Sequence, residues 1–323
     1  MENNPLVTVN ILSFNRKEEL RNTLEKVYGQ DYKNIEVIVV DNASNDGSTE
    51  MVDRDFPNVI LIKMQKNIGI AGWNEGFKIA KGEFVLVLDD DSYPLKDTIE
   101  NAVNEITRGS ENGIIACSVY DLQLKKNITE KFIVGEANAF IGCGALIRMT
   151  LLNSVGFFSK LFFLYLHEED FCIRVIDKGF KIIFVPKSQI IHVNSKKNRR
   201  IVKNGIDNRR YYYGLRNILI FLFLYFNVSH VLYRMIVISA GRIIFGIRHK
   251  CFWISIKAIL SFLFLLPKIC WQRNIVSLNT QHYYEYGKIL GGILYHDENT
   301  TSNSYSLLFK LKSIYDSYQS SKI

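Results

Sequence analysis

Phe84-Val85-Leu86-Val87-Leu88-Asp89-Asp90-Asp91 (FVLVLDDD) decides how this chain is read. An unbroken apolar run of this kind fits a strand buried on both faces. It delivers three adjacent carboxylates at its C-terminal end. Carboxylates so close together repel one another and lose hydration, and a cation relieves both penalties. Oxygen ligands suit Mg2+ or Mn2+, and Mg2+ usually bridges one or two carboxylates to substrate phosphates. Alone, the run also fits a solvated loop of capping aspartates; its place directly after FVLVL favours the cation site.

The same pattern repeats upstream. Leu6–Ser13 (LVTVNILS), Ile35–Val40 (IEVIVV) and Val59–Ile62 read as strands. Between them the sequence predicts a helix capped by Asn15, a two-turn helix beginning near Ser48, and a helix over Gly72–Ala80. Strands alternating with helices imply a mostly parallel sheet covered on both faces. In such sheets ligands bind beyond the C-terminal strand ends. Asp41, the turn-rich run Asn42–Gly47 and the three aspartates all fall there. Downstream, Thr98–Thr107 reads as a helix, Ile114–Val119 and Ala139–Ile147 as strands, and Glu168–Lys178 as a helix opening with three acids. Lys181–Val185 and Gln189–Val193 read as two further strands before the basic stretch Lys196–Arg200.

Composition narrows the class. Across 323 residues, 48% are hydrophobic and 22% charged, which excludes disordered and fibrous chains. Residues 1–200 carry 25 Lys and Arg against 27 Asp and Glu, whereas residues 201–323 carry 15 against 5. The net charge of +8 therefore comes from the C-terminal part. Five scattered cysteines without a C-x-x-C pair fit a reducing compartment rather than a disulfide framework or a zinc ribbon. The first residues show no basic-then-apolar secretory signal, and no G-x-G-x-x-G follows the first strand, which argues against a dehydrogenase.

Five blocks in order, VTVNILSFNR, VIVVDNASNDGS, KNIGIAGWNEGF, FVLVLDDDSYP and HEEDFCIRV, resemble the inverting glycosyltransferase family 2. The resemblance covers about residues 5–195 and is nearest the branch that adds rhamnose, galactose or related sugars to bacterial surface polysaccharides. It implies an α/β GT-A nucleotide-binding fold with a mixed, mostly parallel sheet. The catalytic domain would span residues 1–205, with a nucleotide-sugar half over about 1–95 and an acceptor half over about 96–205. Residues 206–323 would form a basic helical region.

Residue by residue, the resemblance places Ser13, Asn15 and Arg16 along the nucleotide pocket. Asp41 would accept the imide proton of uracil or thymine, or else only cap its own turn. Asn67 and Gly69 would lie near ribose and phosphates, with Trp73 and Asn74 either in the same block or in the core. Asp91 is the expected principal metal ligand, Asp89 its partner or a ribose contact, and Asp90 a contact to sugar or metal. His192 is the expected third ligand, and imidazole suits Mn2+ better than Mg2+. Glu168 takes the position of the base that deprotonates the acceptor hydroxyl. Glu169 and Asp170 are its alternates, because relatives carry Asp where this chain has Glu168 and an acid where it has His167. Arg174 can pair with Asp170 across one helical turn. The small residues Gly142-Cys143-Gly144-Ala145 fit an acceptor-side segment or a tight turn.

After Tyr211 the chain turns aromatic, basic and apolar, with peaks at Ile218–Phe226 and Ile259–Leu266. Neither peak reaches the roughly 20 apolar residues of a membrane-spanning helix. Basic residues among apolar helices fit peripheral binding to anionic lipid on the cytoplasmic face of a membrane. A helical cap on the catalytic domain or the interface of a homo-oligomer is the alternative. Long aliphatic runs between the charges speak against nucleic acid. Tyr211–Asn217 resembles a Tyr-Arg-Asn segment of polysaccharide glycosyltransferases, whose Arg216 could offset pyrophosphate charge. The expected partners are thus a UDP- or dTDP-sugar, a glycan or lipid-linked oligosaccharide acceptor and a membrane surface. The competing readings are a sugar nucleotidyltransferase, which SFNRKEEL in place of a Gly-rich, Arg-containing loop disfavours, and a membrane scaffold without turnover.

Overall fold

The computed structural model describes residues 4–130, 132, 134–194 and 207–286. The chain divides into two compact units, Met1–Ile201 and Val202–Ile323.

In the first unit, β1 (Val7–Ser13), β2 (Ile35–Asp41), β3 (Ile60–Lys63) and β4 (Phe84–Asp89) are parallel and lie in the order β3-β2-β1-β4. Helices α1 (Lys17–Tyr28), α2 (Ser48–Asp55) and α3 (Trp73–Ile79) alternate with them, α3 entered through a 3-10 turn at Gly69–Gly72. The sheet continues through β9 (Ala145–Arg148), β6 (Asn112–Asp121), β10 (Lys181–His192) and β5 (Ser92–Pro94). β9 is antiparallel to β4 and β6, and β5 is antiparallel to β10, so the sheet is mixed. Short β7 (Lys126–Asn127) and β8 (Gly135–Ala137) pair with β6 and β10. Helices α4 (Thr98–Ile106), α5 (Met149–Val155) and α6 (His167–Asp177) complete the unit. Val7, Val9, Ile11, Val37, Val39, Phe84, Leu86 and Leu88 share one core with Leu20, Leu24 and Val27 of α1. That burial is why the first strands read as near-continuous apolar runs.

Several local expectations need correction. Asn15 does not cap α1: the N-cap is Arg16, without a side-chain bond. Asp46 does that work across the loop, accepting the Lys17 N–H at 2.9 Å. The helix expected near Ser48 does begin there, as α2, and Asp46 accepts the Ser48 N–H as well. Only Ala145–Arg148 of the expected strand Ala139–Ile147 is strand, because the glycines before it turn the chain into the site. The two strands expected over 181–193 are one, β10, whose register against β6 shifts between Val185 and Gln189. Lys196–Arg200 lies outside the described residues.

The second unit contains α7 (Asn208–Tyr225), α8 (Val228–Arg248), α9 (Phe252–Gln272) and α10 (Leu278–Tyr286). Asp207 caps α7, its carboxylate accepting the N–H groups of Arg209 and Arg210. Arg273 closes the other end, donating to the carbonyls of Phe223 and Phe226 at 2.9 Å each. The Tyr211 hydroxyl and the Ser255 hydroxyl both donate to the Arg242 carbonyl, tying α7, α8 and α9 together. Arg216 is buried, stacks over the Tyr213 ring and donates to Asn217. The expectation that neither apolar peak nears the length of a membrane-spanning helix is also revised. The second peak lies in α9, which has 21 residues and an 18-residue window of mean hydropathy 1.8, sufficient by length and composition alone. The Ile259–Leu266 run is extended on both sides by Phe252, Trp253, Ile254 and Ile256, and by Ile269 and Trp271.

Candidate active site

Strand register gathers the site. Ser13 pairs with Asp41 across β1 and β2, and Leu12 pairs with Asp89 across β1 and β4. Ser13, Asp41 and the aspartate run therefore share the C-terminal edge of the parallel strands.

Asp41 is 2% exposed. Its Oδ2 accepts the Ser44 N–H at 2.9 Å, so it does cap its turn. Its Oδ1 is buried with no hydrogen-bond partner, as is the Ser13 hydroxyl. An unpaired buried polar group costs about 1–3 kcal/mol, which points to donors arriving from a ligand. Asn15, at φ 55°, knits two loops: it donates its N–H to Ser44 and accepts the Asn45 N–H through Oδ1. Asn67 accepts the Gly69 N–H at 2.8 Å. Gly69 has φ +69°, and a Cβ there would sit 2.0 Å from the Phe163 carbonyl oxygen. The close approach at Gly69 is thus chain against chain. Trp73 is core, 1% exposed, donating its indole N–H to the Leu88 carbonyl at 3.1 Å. Asn74 exchanges two hydrogen bonds with the Phe158 backbone and is structural.

The aspartates divide in two directions. Asp90 turns back toward β1, accepting the Phe14 N–H at 2.9 Å and Arg16 Nη1 at 3.1 Å. Arg16 Nη1 also lies 2.5 Å from Asp91 Oδ2. The guanidinium is the counter-charge of the acid run, and although burial opposes it, Asp90, Asp91 and Asp89 together raise its pKa. Burial, helped by the negative charge of Asp91, pushes the Asp89 carboxyl up to about 6. Burial pushes Asp90 up to about 8 against the pull of Arg16.

Asp89 and Asp91 meet His192, the last residue of β10. Single ligand atoms of these three residues all lie within 4.8 Å of one another. His192 Nε2 is 3.4 Å from Asp91 Oδ1, and its Nδ1 is 3.7 Å from Asp121 Oδ2. Burial lowers the His192 pKa, but Asp91, Asp89 and Asp121 raise it above the ordinary imidazole value. Two carboxylates and one imidazole, backed by a third carboxylate, fit a divalent cation. Asp121 escaped the sequence reading. It ends β6 beside His192 in register, and nothing in the motif pattern marks it.

The opening of α6 lies on the same site. The Glu168 Oε1 accepts the Gly142 N–H at 3.2 Å, and Oε2 lies 2.9 Å from His167 Nδ1. Burial opposes the Glu168 charge, but His167 and the Gly142 N–H hold its carboxyl below the ordinary value. Asp89, Asp91 and Glu168 all act on the buried Cys143 thiol, which lies in the segment between them. Glu169 is buried, with one oxygen unpartnered, and burial drives its pKa well up. Asp170, fully buried, is held by Arg174 at 2.9 Å, the pair expected from the sequence. Arg174 also binds the carbonyls of Val155 and Phe157, so this pair anchors α6. Of the three acids, Glu168 alone is ionised, held in place and partly open to solvent.

A curled, mixed sheet with an acid run at the end of β4 and a second acid on α6 defines the GT-A glycosyltransferases. Residues 8–168 match the model of Glycosyl transferase family 2, and through this domain the chain belongs to that family. It is 28% identical over 187 residues to UDP-Glc:alpha-D-GlcNAc-diphosphoundecaprenol beta-1,3-glucosyltransferase WfaP of Escherichia coli, covering 54% of this chain and 72% of that one. Its fold resembles the mannosyltransferase PcManGT of Pyrobaculum calidifontis, solved with GDP-Man and Mn2+. The TM-score there is 0.58 at 20% identity, over 98% of this chain and 88% of that chain. TarS of S. aureus with UDP-GlcNAc gives a TM-score of 0.55 at 18% identity, over 73% of this chain and 72% of that chain. The protein is a glycosyltransferase, which removes the nucleotidyltransferase alternative.

Proposed function

We propose that the protein transfers a sugar, with inversion, from a UDP- or dTDP-sugar to a lipid-linked glycan during surface polysaccharide synthesis. The observation that carries this reading is the convergence of Asp89, Asp91 and His192 beside a buried, unpaired Asp41 oxygen. Asp41 Oδ1 accepts the imide N–H of uracil or thymine, while Ser44 holds the other oxygen still. Asp89, Asp91 and His192 would hold Mn2+ or Mg2+, which would supply positive charge to neutralise the departing nucleoside diphosphate. Glu168 takes the proton of the acceptor hydroxyl as that oxygen bonds to the anomeric carbon. The bond from the anomeric carbon to the diphosphate breaks, and the nucleoside diphosphate leaves with its electron pair. The lipid-linked acceptor is supported by the printed activity of WfaP, which acts on a diphosphoundecaprenol-linked sugar.

The helical unit supports a peripheral membrane position on the cytoplasmic face. Residues 208–272 contain no Asp or Glu. On α9, Trp253, Lys257, Leu260, Phe264, Lys268 and Trp271 recur on one exposed face, with Phe264 86% and Trp271 93% exposed. Apolar anchors between lysines suit an anionic lipid surface.

The test is a screen of UDP-, dTDP- and GDP-sugars for Mn2+-dependent transfer to a diphosphate-lipid-linked sugar. We expect product from a uridine or thymidine donor only. Product from GDP-sugars alone would overturn the assignment of Asp41.

A further inference from the structure

His167 opens α6 directly before Glu168, and the transfer chemistry above gives it no part. It is 5% exposed. Its ring packs 5.7 Å from Trp73 and edge-on to Phe158 at 5.4 Å. Each of these neighbours is itself pinned, Trp73 to the Leu88 carbonyl and Phe158 to Asn74. The imidazole therefore packs against two fixed rings, Trp73 bonded to Leu88, one residue before Asp89, and Phe158 bonded to α3 through Asn74. Neither ring nitrogen has a well-aligned hydrogen-bond partner. Its nearest polar neighbour is Glu168, with Nδ1 2.9 Å from Oε2, a short but poorly aligned contact. Gly142 leaves room for this pair: a Cβ there would lie 2.7 Å from Glu168 Oε1 and 3.0 Å from His167 Nε2. The entry to α6 is also held in an uncommon conformation, with Tyr165 at φ 64° and Leu166 at φ 59°. Positive φ at two successive non-glycine residues is strain of a kind that clusters at functional sites.

We infer that His167 is a positioning residue for the base: the packed imidazole beside Oε2 and the Gly142 N–H on Oε1 confine the Glu168 carboxylate and aim it at the acceptor hydroxyl. This rests on Glu168 being the base. The imidazole does in this chain what an acid at that position could not do, because an acid would repel Glu168. The charged and titratable groups around the pair are Glu168 and Glu169 on α6, Asp89 on β4, whose field includes His167, and the Cys143 and Cys172 thiols, which feel Glu168.

The experiment compares wild type with His167→Ala, His167→Asn and Glu168→Gln in steady-state transfer across pH, with the melting temperature of each. Asn places an N–H near the position of Nδ1 but carries no charge. His167→Ala should lower kcat by about a hundredfold with donor KM little changed, as a misplaced catalytic group does. His167→Asn should recover most of the kcat, since its amide N–H can meet Glu168 Oε2 where the Nδ1 of the imidazole does. Alanine and asparagine variants that both fold and both keep the wild-type kcat and pH profile overturn the inference. An alanine loss that asparagine does not recover at any pH, in proteins of wild-type melting temperature, also overturns it. A fully active Glu168→Gln overturns the base itself, and the two failures are therefore distinguishable.

Discussion

Nδ1 of His192 lies 3.7 Å from Oδ2 of Asp121. The two residues are paired in register where β10 meets β6, so the sheet itself sets the imidazole in place behind Asp91. At this distance the contact is electrostatic, not a hydrogen bond, and the carboxylate raises the basicity of the imidazole.

Asp121→Asn should therefore weaken Mn2+ binding by about 10–100-fold. Its Oδ1 still accepts the N–H groups of Gln123 and Leu124, so the turn survives, while the bond from Asn194 Nδ2 to Oδ2 is lost and should lower the melting temperature slightly. Calorimetric titration of Mn2+ checks this. Equal affinity in the variant would leave Asp121 a turn residue only.

Arg16 bears on the same carboxylates. With Nη1 2.5 Å from Asp91, it supplies positive charge that a divalent ion also supplies. Arg16→Met should lower the melting temperature in EDTA and enlarge the gain on adding Mn2+ relative to wild type. A smaller gain would mean that Arg16 helps hold the ion instead of balancing the acids.

Asp41→Asn tests the base pocket by exchange of preference. The Ser44 N–H keeps the amide oxygen, which leaves the NH2 facing the ligand. An N–H donor clashes with the imide of uracil and matches the unprotonated ring nitrogen of cytosine. UDP affinity should fall by about tenfold or more, and CDP should become the better ligand. Competition binding with UDP and CDP measures it, and unchanged UDP preference would place the base elsewhere.

Asp90 gives a pH signature. Its folded pKa of about 8 is raised, mainly by burial, above the ordinary carboxylate value. Between those two values the unfolded chain holds fewer protons than the folded one, so stability is lost as pH rises. In EDTA, the melting temperature of Asp90→Asn relative to wild type should climb steadily from about pH 4 to about pH 8 and then level off. A difference independent of pH would contradict the buried, weakly acidic state.

Much of this was legible before any coordinates. β2 and β4 announce themselves as continuous apolar runs because both of their faces are buried, while β1 alternates over Val7-Thr8-Val9-Asn10-Ile11, all of it still buried. Asp41 and the acid run could be found because they terminate such strands. The rest depended on pairing at long range. β5 is three residues long and exists because it adds to β10. β8 likewise needs β10, and the segment before β9 bends where its own apolar content predicts extension. Asp121 looks like any strand-end aspartate until β10 brings His192 beside it. Trp73 could be read as pocket or core, and only its bond to Leu88 decides for core. His167 reads as a departure from the family pattern, and its contact with Glu168 supplies a reason.

The central claim is that Asp91, with Asp89 and His192, holds a divalent cation on which sugar transfer depends. Its most direct test is the rate of transfer from the preferred nucleotide-sugar by wild type and Asp91→Asn over a range of Mn2+ concentrations. The variant should lose at least about a hundredfold in kcat at matched Mn2+, while keeping its melting temperature in EDTA at or above that of wild type, since a buried charge has been removed. A folded Asp91→Asn that transfers sugar at the wild-type rate, with the wild-type response to Mn2+, would contradict it.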